Sequence, residues 1–192
     1  IYVLFTVVQT GALLAGGLSF FDALTHTFGT VATGGFSPLN KSVGQYQSAY
    51  VEWVITLFMF LSGASFSLHY LFLKGKGAVH WQDPEFRFYT WITVGSTAFI
   101  MAFLLASGNC TSFFEALRYA AFQVVSILTT TGFVTADFEL WPFAPQFLLL
   151  LLMFVGGCAG STGGGMKNIR VLLVLRQARA ELLRLVHPRG VF

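Results

Sequence analysis

Four apolar runs organise the chain: residues 1–18, 48–73, 88–107 and 142–155. A helix that crosses a bilayer needs about 20 apolar residues. The runs 48–73 and 88–107 are therefore predicted as full spans, the former with Trp53 and Tyr70 near its two ends, where interfacial aromatics collect. Residues 1–18 read as the end of a span that Gly16-Gly17 breaks. The run from Pro142 to Val155 is interrupted by a Gly/Ser/Thr-rich break over 156–165, and a helical pattern resumes over 166–186 with arginines in it. Two further helical segments, 20–30 and 113–128, are amphiphilic and too short to cross. They run into the threonine–glycine loops 31–37 and 129–135. Thr111 or Ser112 is placed to cap the second of these half-helices. Residues 38–47 are polar and predicted to face solvent. Residues 74–87 hold Lys74, Lys76, Asp83, Glu85 and Arg87 and form the clearly aqueous linker.

The order is span, half-helix, loop, span; linker; span, half-helix, loop, span. It is an internal repeat, a strong organisational signal. Phe20-Phe21-Asp22-Ala23-Leu24 leads to Thr33-Gly34-Gly35-Phe36, and Phe113-Phe114-Glu115-Ala116-Leu117 leads to Thr130-Thr131-Gly132-Phe133. Phe20 to Gly35 is 15 positions and Phe113 to Gly132 is 19, a difference of about one helical turn, so either the second half-helix is one turn longer or the first carries a looser junction. The expected division is 1–74 for one pore-loop repeat, 75–87 for the linker and 88–192 for the other. The expected fold is an all-α membrane protein built of repeated helix–half-helix–loop–helix units, both in the same orientation.

Composition agrees with this reading. Only 10% of residues are charged and 55% are hydrophobic, whereas soluble domains carry about 25% charged residues. The chain starts inside an apolar helix without a Met, and a fragment of a longer protein is expected. Cys110 and Cys158 lie in different settings and are not expected to pair. His26, His69, His80 and His187 are scattered and suggest no zinc site. Nothing assembles an acid/base set. The glycine-rich break continues Met166-Lys167-Asn168, not as a phosphate loop, and Ser161 is not in a GxSxG turn. Ser65 and His69 read as helix packing. No enzyme activity, resident cofactor or nucleic-acid partner is expected.

Charge orients the chain. The linker and C-terminal side carries Lys74, Lys76, Arg87, Lys167, Arg170, Arg176, Arg179, Arg184 and Arg189 against Asp83, Glu85 and Glu181, or +6. The other side carries Lys41 and Arg118 against Asp22, Glu52, Glu115, Asp137 and Glu139, or −3. Basic residues flank the cytoplasmic ends of spans, so the linker and C-terminus are expected inside and both loops open outward, with acidic residues concentrating cations at the mouth. Glu115 is also placed to pair with Arg118 one turn on.

Loop backbone at membrane depth is tolerated only where it lines a cavity or is buried in protein. A cation leaving water must exchange hydration oxygens for protein oxygens, and backbone carbonyls supply these without a trapping charge. Glycine allows the conformations that aim successive carbonyls, and threonine hydroxyls can add another ring of oxygens. Each half-helix turns its partly negative C-terminal end toward its loop, which favours a cation. The candidate ion-binding residues are Val31, Ala32, Thr33, Gly34, Gly35 and Phe36, with Leu128, Thr129, Thr130, Thr131, Gly132 and Phe133.

The break Gly156, Gly157, Cys158, Ala159, Gly160, Ser161, Thr162, Gly163, Gly164 and Gly165 begins about 13 residues into the last span, roughly 20 Å deep. Six glycines in ten residues cannot hold a helix there. A loop at that depth, below the threonine–glycine loops, can obstruct the path and move aside. Lys167 is placed to pair with a carbonyl or acid near the pore, or to reach the cytoplasmic surface.

Residues 30–37, 128–133 and 156–167 together resemble the Trk/Ktr/HKT superfamily of potassium transporters, and are most like its bacterial Trk-type membrane subunit. The resemblance covers essentially the whole chain. It implies four such repeats around a pseudo-fourfold pore, of which this sequence is similar to the second and third. It makes 156–165 the intramembrane gating loop of the third repeat. It also associates a glycine at the key position of each filter, here Gly35 and Gly132, with potassium preference. It further implies a multi-pass protein of the plasma membrane (a bacterial inner membrane), a homodimer, and a cytoplasmic ring of nucleotide-binding regulatory subunits. The competing transport class is a secondary carrier with broken helices and a midplane substrate site; inverted repeats would favour it, and these repeats share one orientation.

Overall fold

Short polar side chains start several of the helices in this computed structural model, which describes residues 1–110 and 112–186. After α1 (Tyr2–Ala15), the Ser19 hydroxyl oxygen accepts the Asp22 N–H at 3.1 Å and opens α2 (Phe20–Val31). Ser48 opens α3 (Ala49–Gly63) in the same way. The chain continues through α4 (Phe66–Leu73) and the short α5 (Val79–Gln82). Asp83 accepts the Phe86 N–H at 2.7 Å and Pro84 occupies the first position of α6 (Pro84–Ala106), where its missing N–H costs nothing. Ser112 stands at the cap position of α7 (Phe113–Leu128) without a side-chain bond, and Thr111 lies outside the described residues. The chain ends with α8 (Phe143–Leu152) and α9 (Asn168–Val186); His187 and Arg189 lie outside the described residues.

The fold is all-α, with no strand among the described residues beyond an isolated bridge between Val155 and Met166. α6 is long and apolar enough to cross a membrane. α2 has 12 residues and α7 has 16, a difference of about one turn, all of it at the N-terminal end. α7 is the centre of the molecule. Ala120, Val124 and Leu128 pack into one core with Tyr89, Ile100, Leu104 and Leu149, while Phe122 and Val125 pack into a second with Leu13, Val51, Ile55 and Met59. Large apolar side chains such as Val3, Val7, Trp91, Val94 and Phe143 stay exposed along the outer faces of α1, α6 and α8, as lipid-facing helices require.

Four expectations are corrected. The run 48–73 is not one straight span: α3 and α4 meet at a 99° bend. The reason is tertiary. The last carbonyls of a helix lack intrahelical donors, and here each has one from elsewhere. Phe60 O accepts from the Tyr89 hydroxyl at 3.0 Å, Leu61 O lies 2.9 Å from His69 Nε2, and Gly63 O accepts from the Cys158 N–H at 2.8 Å. Ser62 O takes the Thr162 N–H at 3.4 Å, and beyond the bend the Phe66 N–H donates to Gly160 O at 3.0 Å. Second, the linker is not wholly aqueous: Glu85 and Phe86 are buried, and His80 lies 3.2 Å from His69. Third, the segment 38–47 is not wholly solvent-facing. It forms a 3₁₀ turn (Ser42–Tyr46) with Val43 buried, and Gly44 N–H donates to Val134 O at 3.1 Å. Fourth, Arg118 pairs across the repeats with Glu52 at 3.2 Å and not with Glu115.

Candidate functional site

The two half-helices end in the same way, 97 positions apart. After α2, the N–H groups of Thr33, Gly34 and Gly35 turn back onto Thr30 O (3.0 Å) and Gly29 O (2.8 and 3.2 Å). After α7, those of Thr130, Thr131 and Gly132 turn back onto Ile127 O (3.0 Å) and Ser126 O (2.9 and 3.2 Å). The turns put Thr33 and Thr130 at φ +52° and +59°, and Gly35 and Gly132 at +66° and +84°. Threonine adopts that left-handed region only where its surroundings impose it, and such residues gather at functional sites. With their N–H groups folded back, the carbonyls are left over. Among the described residues nothing donates a hydrogen bond to Thr33 O, Gly34 O, Thr130 O or Thr131 O. These unpaired oxygens lie just past the negative ends of two helices, a setting that suits a cation.

Side chains also tie each half-helix to the chain that follows it, and in α7 the Ser126 hydroxyl donates to Phe133 O at 2.7 Å. His26 bonds the Asp22 carbonyl through Nδ1 (2.8 Å) and the Ser37 hydroxyl through Nε2 (3.0 Å). Gln123, the matching residue of α7, donates to Ala136 O at 3.2 Å. The hydroxyls of Thr33, Thr129, Thr130 and Thr131 are occupied by protein partners. Thr33 Oγ1 donates to Ala32 O at 2.7 Å, Thr129 Oγ1 bonds Val125 O and Thr131 Oγ1, and Thr130 Oγ1 accepts the Gly164 N–H at 2.7 Å.

The two loops touch. A Cβ on Gly35 would run into the Thr131 carbonyl oxygen, so backbone meets backbone there. Phe133 is buried against His26 and the Cβ position of Gly29, and so locks the second loop behind the first half-helix. Phe36, its counterpart, is 81% exposed.

The glycine-rich break lies against both loops. Thr162 Oγ1 donates to Val31 O at 2.9 Å, and Gly164 N–H to Thr130 Oγ1. Gly156 has its backbone against Gly164, where a Cβ would not fit. The break folds on itself through Gly156 N–H to Met166 O (2.9 Å), Ser161 Oγ to Cys158 O (2.6 Å) and Asn168 Nδ2 to Gly156 O (2.8 Å). Lys167 turns its ammonium back onto the Gly163 carbonyl, the first of its two expected placements. Cys110 and Cys158 are both free and buried. His69 and His80 do meet, but no group of three metal-binding side chains forms among the described residues.

Sequence reasoning brought in all three segments but missed what holds them. Glu85 was counted with the aqueous linker. Its Oε1 accepts the Ala159 N–H at 2.7 Å and the Ile169 N–H at 2.9 Å. An acid in the first turn of a helix ordinarily serves its own N-terminus, so no local signal marked it. His26 and Gln123 carried no local signal either, except that they occupy the same register in the repeat.

Comparison with known proteins gives a consistent picture. Residues 1–192 match the family described as TrkH, cation transport protein. The chain is 45% identical over 192 residues to the Trk system potassium uptake protein TrkH of Halomonas elongata, covering 100% of this chain and 40% of that protein. It is 42% identical over 193 residues to the protein of the same name in Escherichia coli K12, again covering 100% of this chain and 40% of the relative. The crystal structure of the potassium transporter TrkH from Vibrio parahaemolyticus superposes with a TM-score of 0.95 at 42% identity, over 100% of this chain and 42% of that one. The chain thus spans about two fifths of the length of the relatives it matches.

Proposed function

The chain belongs to the TrkH family of cation transport proteins, and from that premise we propose that it forms two walls of a potassium pathway across the plasma membrane. Residues 31–36 and 128–133 line the selectivity filter, potassium is the substrate, and 156–165 with Lys167 is the gate beneath it. The division into repeats at 1–74 and 88–192, joined by 75–87, belongs to the same reading. So do the homodimer and the nucleotide-binding regulatory subunit on the basic cytoplasmic face, where Arg170, Arg176 and Arg179 of α9 are available.

One observation carries the reading. Two half-helices end in matching left-handed turns, and the carbonyls of those turns have no hydrogen-bond donor among the described residues. A potassium ion needs such oxygens, at the negative ends of helices, to replace its hydration shell. The contacts of Thr162 and Gly164 with Val31 and Thr130 support the gate, because they put a bendable segment directly against the filter.

The test is a deletion of residues 159–164 in the full-length protein, reconstituted in vesicles. Potassium flux is expected to rise and to lose its dependence on the regulatory partner, with selectivity mostly retained. A deleted protein that assembles normally and conducts no faster makes the loop a packing feature.

A further inference from the structure

We propose that Glu85 is the residue that holds the glycine-rich loop closed, a positioning residue that acts on the gate through backbone N–H groups. The proposal rests on the reading of 156–165 as a gate.

A single buried carboxylate oxygen accepts two backbone N–H groups from distant parts of the chain. One, Ala159, is in the loop. The other, Ile169, is in the first turn of α9, which follows the loop. The carboxylate therefore grips both limbs of the loop at once. It also satisfies one of the unpaired N–H groups at the start of α9 and offsets the positive end of that helix. Its own support is rigid: Glu85 lies in the first turn of the 23-residue α6, which Asp83 caps and Pro84 starts.

The other contacts of the loop are of a different kind. Those to the filter side, from Thr162 and Gly164, and those to the α3–α4 bend, which join Cys158 to Gly63, Thr162 to Ser62 and Gly160 to Phe66, are neutral hydrogen bonds. Those from Lys167 and Asn168 join the loop to itself and would move with it. Glu85 is a charged acceptor on an element that need not move, and charge-assisted hydrogen bonds are about twice as strong as neutral ones. A pull on α9 from the cytoplasmic side would draw Ile169 away from Glu85 and release Ala159 from the same atom. The carboxylate is thus where motion of α9 reaches the loop.

Cys158, next to Ala159 and fully buried, reports the loop's position; Cys110, buried in the wall between α6 and α7, reports general loosening. The full-length protein, with Glu85→Gln and Glu85→Ala, is treated in vesicles with membrane-permeant N-ethylmaleimide, and modification of each cysteine is followed by mass spectrometry. Labelling of Cys158 is expected to quicken roughly tenfold in the Gln variant and more in the Ala variant, as expected for weakening or losing bonds to a charged acceptor. Cys110 should stay protected. If Cys158 stays as protected as in the parent, or if both cysteines quicken together, the anchor is overturned. If Glu85→Ala does not assemble, the Gln variant, which keeps size and shape, decides. Unstimulated potassium flux is measured on the same vesicles. Faster Cys158 labelling with unchanged flux keeps the anchor and removes the gate reading. Raised flux with Cys158 still protected does the reverse.

Discussion

Gly35 and Gly132 occupy equivalent positions but different surroundings. Both have positive φ, where a side chain costs about 1–2 kcal/mol. Gly35 also abuts the Thr131 carbonyl, whereas a Cβ on Gly132 would meet nothing within 4 Å. Serine at either position should disturb the carbonyls beside it. In the full-length protein, Gly35→Ser and Gly132→Ser are expected to lower potassium-over-sodium flux ratios more than they lower protein abundance, with the larger loss of abundance for Gly35→Ser. Unchanged ion preference in both variants would remove these glycines from the filter. The buried pair Glu52–Arg118 makes a second prediction at this scale, since side-chain exposures of 4% and 19% leave it little water. Removing one partner strands a charge, so Glu52→Leu or Arg118→Met alone should cost about 3–5 kcal/mol. The double variant should recover most of that. The check is thermal unfolding in detergent, and a double variant no better than the worse single one would contradict it.

Among the elements, the end of α3 does the most to assemble the site. Its last four carbonyls are each held by a partner from outside the helix, and two of those partners belong to the glycine-rich loop. Gly63 allows this approach, because a Cβ there would collide with the Tyr89 hydroxyl and the Thr129 methyl. Gly63→Ala should therefore destabilise by about 1–3 kcal/mol, as overpacking does. Tyr89→Phe alone should cost about 1 kcal/mol for the lost bond to Phe60 O. Combined, the two should cost less than their sum, since removing the hydroxyl opens room for the methyl. Melting temperatures of the four proteins give the coupling, and strict additivity would place the strain elsewhere.

For the whole molecule, the charge asymmetry predicts that the loops open outward, and exposure identifies where to test it. Cysteines at Asn40 and Leu140, both exposed, should label from outside in the full-length protein, and one at exposed Ala78 from inside only. Trp141 is a poor probe because it is buried. Outside labelling at Ala78 would reverse the orientation. The repeat makes a further prediction. Phe133 locks behind the first half-helix, while its counterpart Phe36 is exposed in this chain, which spans about two fifths of its relatives' length. In the intact protein Phe36 should find the same kind of pocket. A cysteine at Phe36 that labels as freely there as an exposed loop residue would argue against that.

Elements with a strong local signal were legible in the sequence. The half-helices, their one-turn difference in length and the glycine-rich interruption follow from apolar spacing, short caps and residues that cannot continue a helix, and these act over a few positions. Even the equivalence of Thr33 with Thr130 was readable, because a repeat is a comparison of sequence with itself. The 99° bend after Gly63 was not: Ser62-Gly63-Ala64-Ser65 is a short interruption that an apolar helix can absorb, and the helix ends there because tertiary partners, two of them from the loop 156–165, supply its last carbonyls with donors. Glu85 was equally silent. In the sequence it is one more linker charge, and its role comes from two N–H groups that lie 74 and 84 residues away. Local patterning determined which segments are helix and which are loop. Tertiary structure decided which backbone groups were left without partners, and so which residues had to meet them.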